Sequence, residues 1–132
     1  MKTINVDNKK YDIDLKVFSL VKYEEEFGST LLTDFSDVLE DIELISENKL
    51  YTPETLDNSI KYLYRFLWVL TDTNQEYKKF IKDMKFENPF FEKWGEEVMG
   101  LIAEYFYGRK TYAFLFQSET KEEKWKWYKW LF

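Results

Sequence analysis

The hydrophobic residues change their period once, near Lys16, and that change leaves few architectures open. Before it, Ile4 and Val6 alternate with Thr3, Asn5 and Asp7, and beyond "DNKK" Tyr11, Ile13 and Leu15 alternate with Asp12 and Asp14. Alternation at period two marks half-buried strands. Asp7-Asn8 is good turn chemistry, because both residues tolerate left-handed backbone and bond locally. A hairpin alone is marginal in water, so its apolar face must lie on helices or on another subunit's strands. The second alternative makes Ile4, Val6, Tyr11 and Ile13 candidates for self-association.

From Lys16 onward the spacing is helical. Val17, Leu20, Val21 and Phe27 line one face and Gly28 supplies the residue that ends the helix,. Leu31, Leu32, Phe35, Val38, Leu39, Ile42 and Ile45 form the next stripe, with the acids of that segment expected on its outer face. Thr52 is a good N-cap, Pro53 fits the first helical position and Glu54 meets the positive end of the dipole. Leu56, Ile60, Leu63, Leu67 and Leu70 make that helix's stripe, which Tyr64, Phe66 and Trp68 widen until it is apolar nearly all round. It should be the central helix.

A short helix is expected after a Thr73–Glu76 capping-box pattern, with Tyr77, Phe80, Ile81 and Met84 inward. Asn88-Pro89 is read as opening the last major helix, on which Phe91, Trp94, Val98, Leu101, Ile102 and Tyr105 repeat and which Gly108 closes. "TYAFLFQ" fits either a short strand or a helical continuation, and Ser118 or Thr120 could cap a further helix. The expected fold is mainly α (α+β), an N-terminal β-hairpin followed by a bundle of five or six helices. It forms one domain over 1–132, with the hairpin at 1–15, the helical body at 16–108 and an aromatic segment at 109–132.

Composition removes most catalytic chemistry. The chain has no cysteine and no histidine. Disulfides, thiolate metal sites, Cys–His pairs and histidine-based triads are therefore excluded. Carboxylates are the remaining acid–base groups. Glu24 lies at helical spacing from Val17, Val21 and Gly28, so a semi-buried carboxylate is expected there, more plausibly a structural partner than a catalyst. Asp72 and Asn74 in "TDTNQE" match the start of a calcium loop, but the central glycine and the distant bidentate Glu are missing. No phosphate loop or dinucleotide-binding glycine pattern is present. The expectation is a non-enzyme with no cofactor and no metal.

The net charge is −6, which disfavours polyanion binding by the whole surface. Acids crowd the stretch from Asp34 to Glu47, while residues 121–132 carry four lysines against two glutamates. The start lacks the apolar core of a secretory signal, and "YLYRFLWVL" is broken by Arg65 and too short for a bilayer. A cytoplasmic protein is expected, binding neither nucleic acid nor membrane.

Aromatic residues make up 20% of the chain, and they concentrate in "KEEKWKWYKWLF". On a helical wheel Trp125, Trp127, Tyr128, Trp130, Leu131 and Phe132 span one wide arc, with Lys126 and Lys129 on the remaining face. An arc this wide needs more than one neighbour: it packs on the body or on a second copy, or it is displayed as a partner-binding helix. In either case these six residues are the candidate surface for contact with protein.

The segment "INVDNKKYDIDLKVFSLVKYEEEFGSTLLTDF" resembles the start of the tail assembly chaperones of long-tailed bacteriophages and prophages. The matching positions are Ile4, Val6, Lys9 or Lys10, Tyr11, Ile13 and Leu15, then Tyr23-Glu24 and Gly28, with Asn8 where that family usually has a turn glycine. The resemblance implies an oligomeric, non-enzymatic protein of the bacterial host cytoplasm that coats the tape measure protein during tail assembly. The alternative expectation is a small structural adaptor or inhibitor that binds one host protein through its aromatic C-terminal helix.

Overall fold

The computed structural model describes residues 1–46 and 52–108. An antiparallel pair, β1 (Lys2–Val6) and β2 (Lys9–Ile13), precedes α1 (Val17–Phe27), α2 (Leu31–Ser46), α3 (Pro53–Thr71), α4 (Tyr77–Lys82) and α5 (Lys93–Tyr107). The mainly α reading with an N-terminal hairpin holds. Asp7 and Asn8 have φ of 51° and 63°, the doubly left-handed turn whose twist matches a two-residue hairpin. Val6 then faces Lys9, Ile4 faces Tyr11 and Lys2 faces Ile13.

The hairpin lies on this chain's own helices, β2 against α3 and β1 against α5. Ile4, Val6 and Ile13 are buried core residues of the subunit itself, so they present no side-chain surface to a second copy. Tyr11 is half-buried and meets Phe80 of α4 edge-on, ring centroids 5.9 Å apart. What the hairpin leaves outward is polar: its backbone edges and the exposed side chains of Lys2, Thr3, Asn5, Lys9, Lys10 and Asp12.

α3 is the central helix, packed against every other helix and β2. The Thr52 hydroxyl accepts from the Thr55 amide at 3.1 Å, which satisfies one orphan donor of the first turn. Leu63 and the run Phe66–Leu70 are all buried, as a helix apolar around its circumference requires. At its other end the Leu70 carbonyl accepts from the Asp14 amide at 3.0 Å, tying the exit of β2 to the helix terminus.

Three local expectations are corrected. In α1 the inward side chains are Ser19 and Tyr23, with Leu20 and Phe27 half-buried, while Val17 and Val21 face out. Ser19 is buried because it fixes the helix start: its hydroxyl accepts from the Lys16 amide and its amide donates to the Lys16 carbonyl. Second, the Thr73 hydroxyl accepts from the Gln75 amide rather than capping α4. Third, Asn88-Pro89 builds a turn instead of opening α5. The Asn88 side-chain oxygen accepts from the Phe90 amide and its carbonyl from the Phe91 amide. The helix starts at Lys93, and Phe91 is exposed rather than inward.

Candidate functional site

An aromatic knot holds α1, α3 and α4 together and sets the shape of the surface around it. Phe27 is its hub, 4.7 Å from Tyr23, 5.7 Å from Trp68 and 4.9 Å from Tyr77 between ring centroids. The Arg65 guanidinium lies over Phe27 at 4.7 Å and Lys22 Nζ over Trp68 at 4.5 Å. Both cations meet the electron-rich ring faces.

Beneath this knot sits a buried carboxylate. Asp34 is only 3% exposed, contrary to its expected place on the outer face of α2. Its Oδ2 accepts from the Tyr23 hydroxyl at 2.5 Å and from the Ser29 hydroxyl at 2.7 Å, which is how a buried charge is tolerated. Burial first, and then the Asp34 hydrogen bond and charge, push the Tyr23 phenol well above its ordinary value. Nearby on α2, Asp37 is raised by partial burial and by the charges of Asp34 and Asp41. These groups brace the junction of α1, α2 and α3. Glu24, expected to be semi-buried, is exposed, and no other feature makes it a proton-transfer group.

Two surfaces stand out from the solvated remainder. The first is the outer side of the opening turns of α1, where Val17, Phe18 and Val21 are 70%, 64% and 46% exposed. Val21 is i+4 from Val17 and i+3 from Phe18 and so neighbours both on the helix surface, which joins the three side chains into one apolar strip.

The second surface flanks α4. On one side a mainly apolar cavity of about 200 Å³ is lined by Tyr64, Tyr77, Ile81 and Phe86. On the other, a groove of about 480 Å³ runs between β2 and α4, with Lys9, Lys10, Tyr11 and Asp12 along one wall and Lys79, Phe80 and Asp83 along the other. Lys78, Lys79, Lys82 and Lys85 follow one another through and just past α4 with Asp83 the one acid among them. This corner is basic in an acidic protein. Sequence reading looked for the basic region at 121–132 instead; the signal "YKKFIKDMK" was there to find.

Trp125, Trp127, Tyr128, Trp130, Leu131 and Phe132 lie outside the described residues. Asp72 caps α3 in left-handed conformation (φ 52°), with Lys16 Nζ 3.9 Å from its carboxylate. Among the described residues no group of three or more His, Cys, Asp or Glu could hold a metal ion, and no helix is long and apolar enough to cross a membrane. No family model, curated protein or solved structure matches this chain.

Proposed function

We propose that this chain is a non-enzymatic protein-binding module, acting as an assembly chaperone that covers an apolar, helical client. The observation that carries this reading is the strip of Val17, Phe18 and Val21, solvated at the start of α1. Helix formation puts them together, yet no described element covers them. Clustered apolar groups of this kind serve contact with protein. The net charge of −6 would keep a coated complex soluble through like-charge repulsion. The N-terminal resemblance narrows the client to a tape measure protein, and copies of this chain would coat it together.

The test is co-purification of the full chain with a tape measure fragment, with light scattering to follow assembly. Phe18→Asp and Val21→Asp are at exposed positions and should leave the melting temperature nearly unchanged while weakening capture on the order of tenfold. Removing residues 121–132 should weaken it as well. A strictly monomeric protein that ignores the fragment overturns the reading.

A further inference from the structure

We infer that the groove between β2 and α4 takes an extended acidic peptide, which adds to β2 as a third strand. The inference deepens the protein-binding reading and rests on it only in taking the ligand to be polypeptide.

The hairpin register decides which backbone groups are available. With a two-residue turn, Val6 and Lys9 are the closing hydrogen-bonded pair, so Ile4–Tyr11 and Lys2–Ile13 also exchange bonds,. The intervening pairs, Asn5–Lys10 and Thr3–Asp12, point their amides and carbonyls away from each other. On β2 the outward series is therefore Lys10, Asp12 and Asp14. Asp14 is already used, donating to the Leu70 carbonyl. Among the described residues nothing pairs with the backbone groups of Lys10 and Asp12. These open groups border the 480 Å³ groove.

A strand edge with free amides and carbonyls is a template for another strand. Its surroundings select the chemistry. Lys9 and Lys10 stand on one wall and Lys79 on the other, outnumbering the lining acids Asp12 and Asp83, with Lys78 and Lys82 adding positive charge on the same short helix. Asp12 on the outer face is engaged by the Thr3 hydroxyl at 2.6 Å. Phe80 and Met84 add apolar surface to the α4 side of the groove. An alternating peptide with carboxylates toward the lysines and aliphatic groups toward Phe80 complements this lining, and net positive charge around the groove draws it in. α4 walls the groove on its far side, an arrangement that suits an extended chain better than a second subunit carrying its own helices.

The experiment measures binding of a fluorescent eight-residue peptide alternating Glu and Val to the full chain by anisotropy. Two backbone-methylated versions, each blocking alternate amides, accompany it. Strand addition uses one parity of amides only, so one version should bind as well as the parent and the other should lose binding. Lys10→Glu and Lys79→Glu should each weaken the parent about fivefold, and the Lys10 and Asp12 amides should gain exchange protection with peptide while Thr3 and Asn5 do not. Equal tolerance of both methylated versions overturns the inference. So does preferential binding of a single-stranded oligonucleotide of equal charge, or protection of Lys10 and Asp12 by residues 109–132 in the free chain. Phe18→Asp separates the two readings, because it should weaken client capture on the order of tenfold and leave this peptide bound.

Discussion

The Tyr23 hydroxyl donates to Asp34 Oδ2 at 2.5 Å across eleven residues of chain, and both side chains are buried. Each polar group is affordable in the core only because of the other. Tyr23→Phe leaves the carboxylate with Ser29 as its remaining side-chain donor. Asp34→Ala leaves a buried phenol with its chief acceptor gone. Each should cost about 1–3 kcal/mol, and the double variant clearly less than the sum, since the second change then removes an already orphaned group. Urea unfolding of the four proteins checks the coupling; additive losses would show that the pair does not act as a unit.

Burial of Tyr23 first, and this bond second, set alkaline behaviour. Tyr23 is raised in the folded state, so that state holds its proton more tightly than the unfolded chain. Its contribution is whole below about pH 10, where the unfolded phenol is still protonated, and is lost as pH rises beyond that. Tyr11, Tyr62, Tyr64 and Tyr77 are also raised, each mainly by burial. Stability should therefore fall from about pH 10 upward, and Tyr23→Phe should make that fall shallower without abolishing it. Urea midpoints between pH 8 and 11 give the slopes.

Asp37 should behave in the opposite sense to a stabilising acid. Partial burial and the charges of Asp34 and Asp41 raise it, so its ionised form is disfavoured in the folded protein. Asp37→Asn should stabilise by about 0.2–0.5 kcal/mol at pH 7, the scale of a relieved like-charge pair on a helix. The raised group contributes stability fully at acid pH and loses it as pH rises through its folded value. The gain from Asp37→Asn should thus shrink toward pH 4, as the native carboxyl takes up its proton. Thermal melts at the two pH values decide it.

Tyr23 and Asp34 also show where sequence reading stops. Helical periodicity scores each side chain by its own hydropathy, so it set Val17 and Val21 inward and Asp34 outward. It cannot see that a tyrosine and an acid from different helices satisfy each other, which lets α1 bury Tyr23 and turn its valines to solvent. Where the signal was local, reading succeeded. The alternation to Leu15 with Asp7-Asn8 gave the hairpin, and Thr52-Pro53 gave the start of α3. At Asn88 a local signal was present but misread, because an Asn-Pro pair serves a side-chain-closed turn as readily as a helix start. The β2–α4 groove depends on a long-range packing that no single segment encodes.

Glu87 is the clasp between the hairpin and the helices. Its Oε1 accepts from the Asp7 amide at 3.0 Å and its Oε2 from Trp94 Nε1 at 2.9 Å. Its own backbone exchanges two bonds with the Tyr64 hydroxyl, at 2.8 and 3.0 Å. Glu87→Ala keeps the backbone pair and loses both bonds to the carboxylate, a cost of about 2–4 kcal/mol. Glu87→Gln retains one acceptor oxygen and should lose less. In both, exchange protection of the Asp7 amide should fall first, with the turn of the hairpin loosening ahead of global unfolding. Unchanged protection there would remove the clasp from the account.

Gly95 and Gly28 should respond to alanine by different mechanisms. A Cβ on Gly95 would stand 2.0 Å from the Pro89 carbonyl oxygen, a backbone atom with little room to retreat. Gly28 has open space around it but sits at φ 74°, a left-handed conformation that costs a residue with Cβ about 1–2 kcal/mol. Gly28→Ala should therefore lower stability by that amount with the fold unaltered. Gly95→Ala forces the Pro89 turn off the first turn of α5, at about 1–3 kcal/mol or more. Because the Trp94 ring lies beside Tyr64 at 5.3 Å and its indole donates to Glu87, that displacement should also disturb the clasp. Gly95→Ala combined with Glu87→Ala should then cost less than the two alone, whereas Gly28→Ala should add to Glu87→Ala independently. Denaturant titrations of these pairs distinguish a clash transmitted through the turn from a strain confined to one residue.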